Sequence, residues 1–123
     1  MTTPAPGQPL VAVVDDDPRI RYLLAGELED LGAQVLRCRG GDELLAVAQL
    51  EQLQLVLLDW MMPGLDGEAT LRELKRRRFP GRVVVVTALC DPAVQRAALA
   101  AGAQATLLKT EALDRLPQLL NPD

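Results

Sequence analysis

The chain has 123 residues, a length that suits one domain, and its 49% hydrophobic and 24% charged residues exclude an intrinsically disordered chain. Its net charge is −4, which weakens any case for nucleic-acid binding, because phosphate contacts need a basic surface. It has no histidine, so Ser-His and Cys-His catalytic groups and His-ligated metal sites are excluded.

In chain order, the opening "MTTPAPGQP" has no basic start followed by an apolar stretch, so it is not a signal peptide. Its Pro, Thr and Gly content predicts a flexible leader over residues 1–8, ahead of a domain at 9–120 and a tail at 121–123. "LVAVV" (10–14) is the first of five apolar runs; "QVLRC" (34–38), "LVLL" (55–58), "RVVVV" (82–86) and "ATLL" (105–108) follow. The first, third and fourth are continuously apolar, which suits strands buried on both faces of a parallel sheet. Asp17 and Pro18 read as the cap and first residue of a helix, with Ile20, Leu23, Leu24, Leu28 and Leu31 on one face and Gly32 as its stop. Asp42 opens a second helix with Leu44, Leu45 and Ala48 inward. A third covers roughly 67–77, with Leu71 and Leu74 inward. It ends in the basic cluster "KRRRFPGR" (75–82), a solvated helix end that the macrodipole favours. Asp91-Pro92 repeats the cap signal, and Val94, Ala97, Ala98 and Ala101 keep helical spacing before Gly102.

The last helix is the weak element. Pro117 would break a helix begun at Thr110; with Asp114 as the cap, only about two turns remain. The alternation of strands and helices predicts an open α/β sheet. Aromatics are limited to Tyr22, Trp60 and Phe79, so the core must be built from Leu, Val and Ala. Cys38 and Cys90 lie far apart, without CxxC spacing, and read as reduced thiols of a cytoplasmic protein. No apolar run approaches the ~20 residues of a membrane span.

The polar residues fall in a pattern on this frame. Asp15, Asp16 and Asp17 follow strand one, Asp59 follows strand three, Thr87 strand four and Lys109 strand five. In open α/β sheets, ligands bind outside the carboxyl ends of the strands. Each residue alone has a plainer explanation. Asp17 serves as a helix cap, Asp15 or Asp16 as loop solvation, Thr87 as a strand end, and Lys109 as a snorkelling surface lysine. Asp59 at the end of "LVLL" resists such an explanation, because a buried carboxylate needs a partner. Converging carboxylates suit Mg²⁺, and a nearby lysine and hydroxyl suit a phosphoryl group.

The pieces "VVDDDP" (13–18), "LLDWMMPGLDG" (57–67), "VVVVTAL" (83–89) and "AGAQATLLK" (101–109) together resemble the receiver domains of two-component response regulators. The resemblance implies a flavodoxin-like (βα)5 doubly wound parallel sheet, with strand order 2-1-3-4-5. It implies that Asp59 is the phosphoacceptor, charged by a histidine kinase or phosphotransfer protein. Asp15, Asp16, Asp59 and the backbone carbonyl of Met61 would hold Mg²⁺, Thr87 and Lys109 would contact the phosphoryl group, and Pro63 and Gly67 would shape the loop after the acceptor. Direct nucleic-acid binding and membrane association are not implied. A phosphorylation-dependent homodimer and a fused output domain stay open.

The chain also departs from the family. Thr110 stands where a proline usually follows the lysine, so a cis peptide there is not expected. Thr106 replaces an aromatic residue that usually follows the switch hydroxyl inward. A short last helix would leave the usual output face of helix four, strand five and helix five incomplete. Met61 and Leu89, two residues beyond Asp59 and Thr87, cannot orient a water, so slow loss of the phosphate is expected. Two rivals remain. One is a Mg²⁺-dependent phosphohydrolase, weakened by Met61 where a second acid is common. The other is a pseudo-receiver that binds protein without accepting phosphate.

Overall fold

The computed structural model describes residues 7–88 and 91–122. Five strands and five helices alternate: β1 (Leu10–Val14), α1 (Pro18–Asp30), β2 (Gln34–Cys38), α2 (Gly41–Leu45), β3 (Leu55–Asp59), α3 (Gly67–Arg76), β4 (Arg82–Thr87), α4 (Pro92–Ala100), β5 (Ala105–Leu108) and α5 (Lys109–Leu120). A single 3₁₀ turn, Leu50–Gln52, precedes β3. The strands are parallel and lie in the order β2-β1-β3-β4-β5, as expected.

The continuous apolar runs are explained by two covered faces. Leu10, Ala12, Val14, Val56, Leu58, Val83 and Val85 meet Leu44, Leu71, Leu74 and Ala98 from α2, α3 and α4. The alternate residues Val11, Val13, Leu55, Leu57, Val84 and Val86 meet Leu24, Leu28, Ala112 and Leu116 from α1 and α5. Burying each such Val or Leu side chain contributes roughly 1.5–3 kcal/mol. A polar residue at the end of one of these strands is therefore carried inward with the strand.

Four details differ from the sequence expectation. On α1, Leu23 and Leu31 are exposed; the buried stripe is Leu24, Ala25 and Leu28, with Ile20 packed beside it. Leu31 is the C-cap and lies past the last full turn. α2 is only five residues long and is capped by Gly40, so Asp42 sits inside its first turn and Ala48 is exposed beyond its end. Asp59 and Thr87 are the last residues of their strands rather than the first of the loops. The largest difference is α5, which starts at Lys109, runs for 12 residues and contains Pro117. Pro117 removes one i→i−4 hydrogen bond, but buried Ala112 and Leu116 hold the helix against the sheet. The face formed by α4, β5 and α5 is therefore complete.

The basic cluster is partly structural. Glu73 accepts from both Arg76 and Arg77, which holds its carboxyl well down, at about 2, and Arg77 also reaches the Leu45 carbonyl at 3.2 Å. Three helices end in the same hydrogen-bonded turn. After α1 and α4 a glycine takes the left-handed position, Gly32 at φ 98° and Gly102 at φ 114°. After α3 that position is Arg78 at φ 57°, with its N–H on Lys75 O and the Phe79 N–H on Leu74 O. A side chain in this region costs about 1 kcal/mol. Arg78→Gly is expected to raise stability by roughly 0.5–1 kcal/mol, read as a rise of a few degrees in Tm by calorimetry; an unchanged or lower Tm would show that the arginine side chain offsets the strain.

Candidate functional site

Asp15 and Asp59 are 2% and 3% exposed, at the carboxyl ends of the neighbouring central strands β1 and β3. Each is fixed by backbone. The Asp15 N–H donates to Cys38 O at 3.1 Å, and Asp15 Oδ1 accepts the Asp17 N–H at 2.9 Å. Asp59 Oδ1 accepts the Met61 N–H at 3.4 Å. Lys109 Nζ lies 3.0 Å from Asp15 Oδ2 and 3.5 Å from Asp59 Oδ2, so one ammonium bridges both carboxylates. Asp16 is exposed at the mouth, and one oxygen from each of Asp15, Asp16 and Asp59 lies within 4.8 Å of the others. Thr87 is buried at the end of β4, one residue past the Asp59–Val86 register pair. Asp17 is the α1 cap, accepting from Arg19 N.

Five of the six sequence candidates thus gather at one sheet edge. The sixth, Met61, is beside them, with its N–H on Asp59 and the residue 62% exposed. Leu89 and Cys90 lie outside the described residues. Cys38 is buried, which pushes its thiol up to about 12 and keeps it unreactive. Gly67 is required by close approach: a Cβ there would lie 2.6 Å from the Asp59 carbonyl oxygen and 2.7 Å from Trp60 Cα. The peptide bond between Lys109 and Thr110 is trans, as expected.

Two supporting residues escaped the sequence reading. The Arg21 guanidinium donates to the Asp15 carbonyl at 2.7 Å, and Glu111 Oε1 accepts the Leu108 N–H at 2.9 Å. Arg21 lies two residues from Arg19, with no spacing to mark it. Glu111 has capping-box spacing, but its partner is a leucine, so the motif is invisible.

The electrostatics follow from burial. Desolvation pushes the Asp59 carboxyl up to about 7; the Asp15 charge and a hydrogen bond with Asp16 add to this, while Lys109 and the Met61 N–H oppose it. Burial alone would lower Lys109, but its hydrogen bond to Asp15 and the charges of Asp59 and Asp15 leave it above the ordinary lysine value. With all three carboxylates ionised, one ammonium leaves an excess of two negative charges. Converging hard oxygen donors with that excess fit a divalent cation such as Mg²⁺.

Comparison with known proteins bears on the family and the fold. Residues 11–121 match the family model described as the response regulator receiver domain. The chain is 38% identical over 99 residues to a probable transcriptional regulator, ycf27, of Cyanophora paradoxa, covering 80% of this chain and 41% of that one. It is 34% identical over 117 residues to the sensor histidine kinase GacS of Pseudomonas protegens, covering 91% of this chain and 13% of that one. The match therefore covers less than half the length of these relatives. Among solved structures, the receiver domain of a putative response regulator NarL from Mycobacterium tuberculosis superposes with a TM-score of 0.81 at 26% identity, over 92% of this chain and 93% of that one. The chemotaxis protein CheY4 of Vibrio cholerae, at 24% identity, shares the fold with a TM-score of 0.86 over 94% of this chain and 98% of that one. No helix among the described residues is long and apolar enough to cross a membrane.

The raised Asp59 value has a consequence for stability. An unfolded chain ionises Asp59 near 3.8, whereas the folded, cation-free protein keeps it protonated up to about 7. Between those values the folded state binds more protons, so the stability that Asp59 allows at low pH is lost as pH rises through 7. In chelator, Asp59→Asn is expected to be more stable than wild type at pH 8 by on the order of 1–2 kcal/mol. That is well below the full conversion of the shift, because water at the mouth screens the site. The gap should shrink toward zero by pH 4. Urea melts across that range check it, and a gap independent of pH would refute the assignment.

Proposed function

The chain belongs to the response regulator receiver family, and we propose that it acts as a phosphoacceptor: Asp59 takes a phosphoryl group from the phosphohistidine of a histidine kinase or phosphotransfer protein, and the domain then changes conformation. The observation that carries this is the pair of buried carboxylates, Asp15 and Asp59, held by one lysine at the carboxyl edge of the sheet. Receiver chemistry is assigned to residues 9–120, with 1–8 as leader and 121–123 as tail.

Asp15, Asp16 and Asp59, with the backbone carbonyl of Met61, would hold Mg²⁺, which when bound neutralises charge on the phosphoryl oxygens. An ionised Asp59 oxygen attacks phosphorus. The P–N bond to the donor imidazole breaks, its electron pair leaves with the ring, and an acyl phosphate remains on Asp59. Lys109, already 3.5 Å from Asp59, exchanges its carboxylate partners for a phosphoryl oxygen. The Thr87 hydroxyl donates to another, and its shift starts the conformational change. The site catalyses its own modification but turns over no external substrate. Cytoplasmic location follows from a kinase partner, and a transcriptional output or a phosphorylation-dependent homodimer would belong to a longer protein or to a paired state.

Trp60, 8% exposed and next to Asp59, is the reporter. With Mg²⁺ and acetyl phosphate, wild-type protein is expected to gain one phosphoryl group by intact mass and to change Trp60 emission; Asp59→Asn is expected to do neither. A wild type that gains no phosphate and gives a flat Trp60 signal would instead be a pseudo-receiver. Steady phosphate release over many turnovers would make the protein a hydrolase.

The exposed Met61 offers a water no donor and only a weak sulfur acceptor. Phosphate loss should therefore be slow, and Met61→Asn combined with Leu89→Glu should speed it about tenfold or more. Unchanged decay of the phosphorylated species by intact mass would sink that expectation.

A further inference from the structure

α5 begins at Lys109, directly after the last residue of β5. No loop residue separates strand from helix, so the backbone at Leu108 and Lys109 sets where the lysine points. That junction lacks the device that opens α1, α3 and α4. Each of those starts on an aspartate, Asp17, Asp66 or Asp91, whose carboxylate accepts a backbone N–H. α5 starts on Leu108, which carries no side-chain acceptor. Glu111, three residues on, reaches back instead, and its Oε1 accepts the Leu108 N–H at 2.9 Å. Only this half of a capping box forms.

Within α5, packing holds this turn mainly at its end. Thr110 and Glu111 are exposed, and the first buried anchor of the helix is Ala112. The far end of the Lys109 side chain is tightly committed, with Nζ 3.0 Å from Asp15 and 3.5 Å from Asp59. A small rotation of the first turn would move the lysine Cα and pull Nζ off one of the two carboxylates. A misplacement of this kind costs rate in a pre-organised site.

We infer that Glu111 is a positioning residue for Lys109: its carboxylate pins the β5–α5 turn and so holds Nζ between Asp15 and Asp59. The inference rests on the phosphoacceptor reading above, since it assigns Glu111 a part in that chemistry through the lysine. The exposed carboxylate also sits in the first turn of α5, where negative charge favours the helix dipole.

The test follows phosphorylation of the full chain by acetyl phosphate with Mg²⁺, using intact mass and Trp60 emission. Wild type is compared with Glu111→Ala, Glu111→Gln, Lys109→Ala and the Lys109→Ala/Glu111→Ala pair, each with a circular dichroism melt. Glu111→Ala is expected to slow phosphorylation about three- to tenfold, the effect of one charge-assisted hydrogen bond. Glu111→Gln keeps an acceptor and should stay within about twofold of wild type. In the Lys109→Ala background, removing Glu111 should add nothing, because its effect runs through the lysine. A wild-type rate in Glu111→Ala overturns the proposal, as does a full extra slowing in the Lys109→Ala background. If Glu111→Ala merely loosened α5, both backgrounds would slow alike, so the pair still decides. A wild type that takes no phosphate fails the phosphoacceptor reading and this inference with it; a wild type that is phosphorylated while Glu111→Ala keeps pace fails this inference alone.

Discussion

Two carboxylates buried against a single ammonium are the constraint on which the rest of the molecule depends. Asp15 and Asp59 are drawn inside because Asp15 directly follows β1 and Asp59 ends β3, strands whose side chains are buried on both faces of the sheet. The eight Val and Leu side chains on those two strands favour burial by roughly 1.5–3 kcal/mol each. That outweighs the cost of taking two acids out of water, several kcal/mol per unpaired ion. Lys109 lowers the cost, but one positive charge cannot neutralise two, and Asp16 adds a third acid at the mouth. The fold thus holds a local excess of acidic groups in place, an arrangement suited to a cation and to a group that arrives with one.

The surrounding structure serves to keep that arrangement rigid. Backbone N–H groups of Asp17 and Met61 fix the two acids, and Arg21 ties down the Asp15 carbonyl. Gly67 lets α3 start almost on top of the Asp59 backbone. Asp66 then caps α3 through the Ala69 N–H, so the loop after Asp59 is closed at both ends. These are local devices that act on the ends of strands, where the sheet ladder stops and side chains would otherwise be free to turn.

Much of this is readable from residue order, for a physical reason. A strand buried on both faces must be continuously apolar, so β1, β3 and β4 announce themselves, and with them the positions of Asp15, Asp59 and Thr87. Proline after aspartate marks the starts of α1 and α4 equally well. The sequence misled where competing influences are weak or nonlocal. Leu23 and Leu31 look like core residues because leucine has helical spacing on α1, but the sheet covers only a narrower stripe. Pro117 looks like a breaker, yet the burial of Leu116 and Ala112 outweighs one lost hydrogen bond. Arg21 and Glu111 could not be found, because Arg21 reaches a backbone carbonyl six residues back and Glu111 faces a leucine at the cap position, so neither completes a recognisable motif.

The direct passage from β5 into α5 has a mechanical meaning. A connecting loop is slack: it lets one end move while the other stays still. Here there is none, and Lys109 is at once the end of the strand's path and the foot of the helix. α5 is about 18 Å long, so a tilt of about 5° at Lys109 carries its far end through roughly 1.5 Å. That end, near Leu119 and Leu120, lies against the α1 side of the core. On the proposed reading, a change of partner at the Lys109 ammonium would be geared up, along this arm, into a displacement at the opposite pole of the domain.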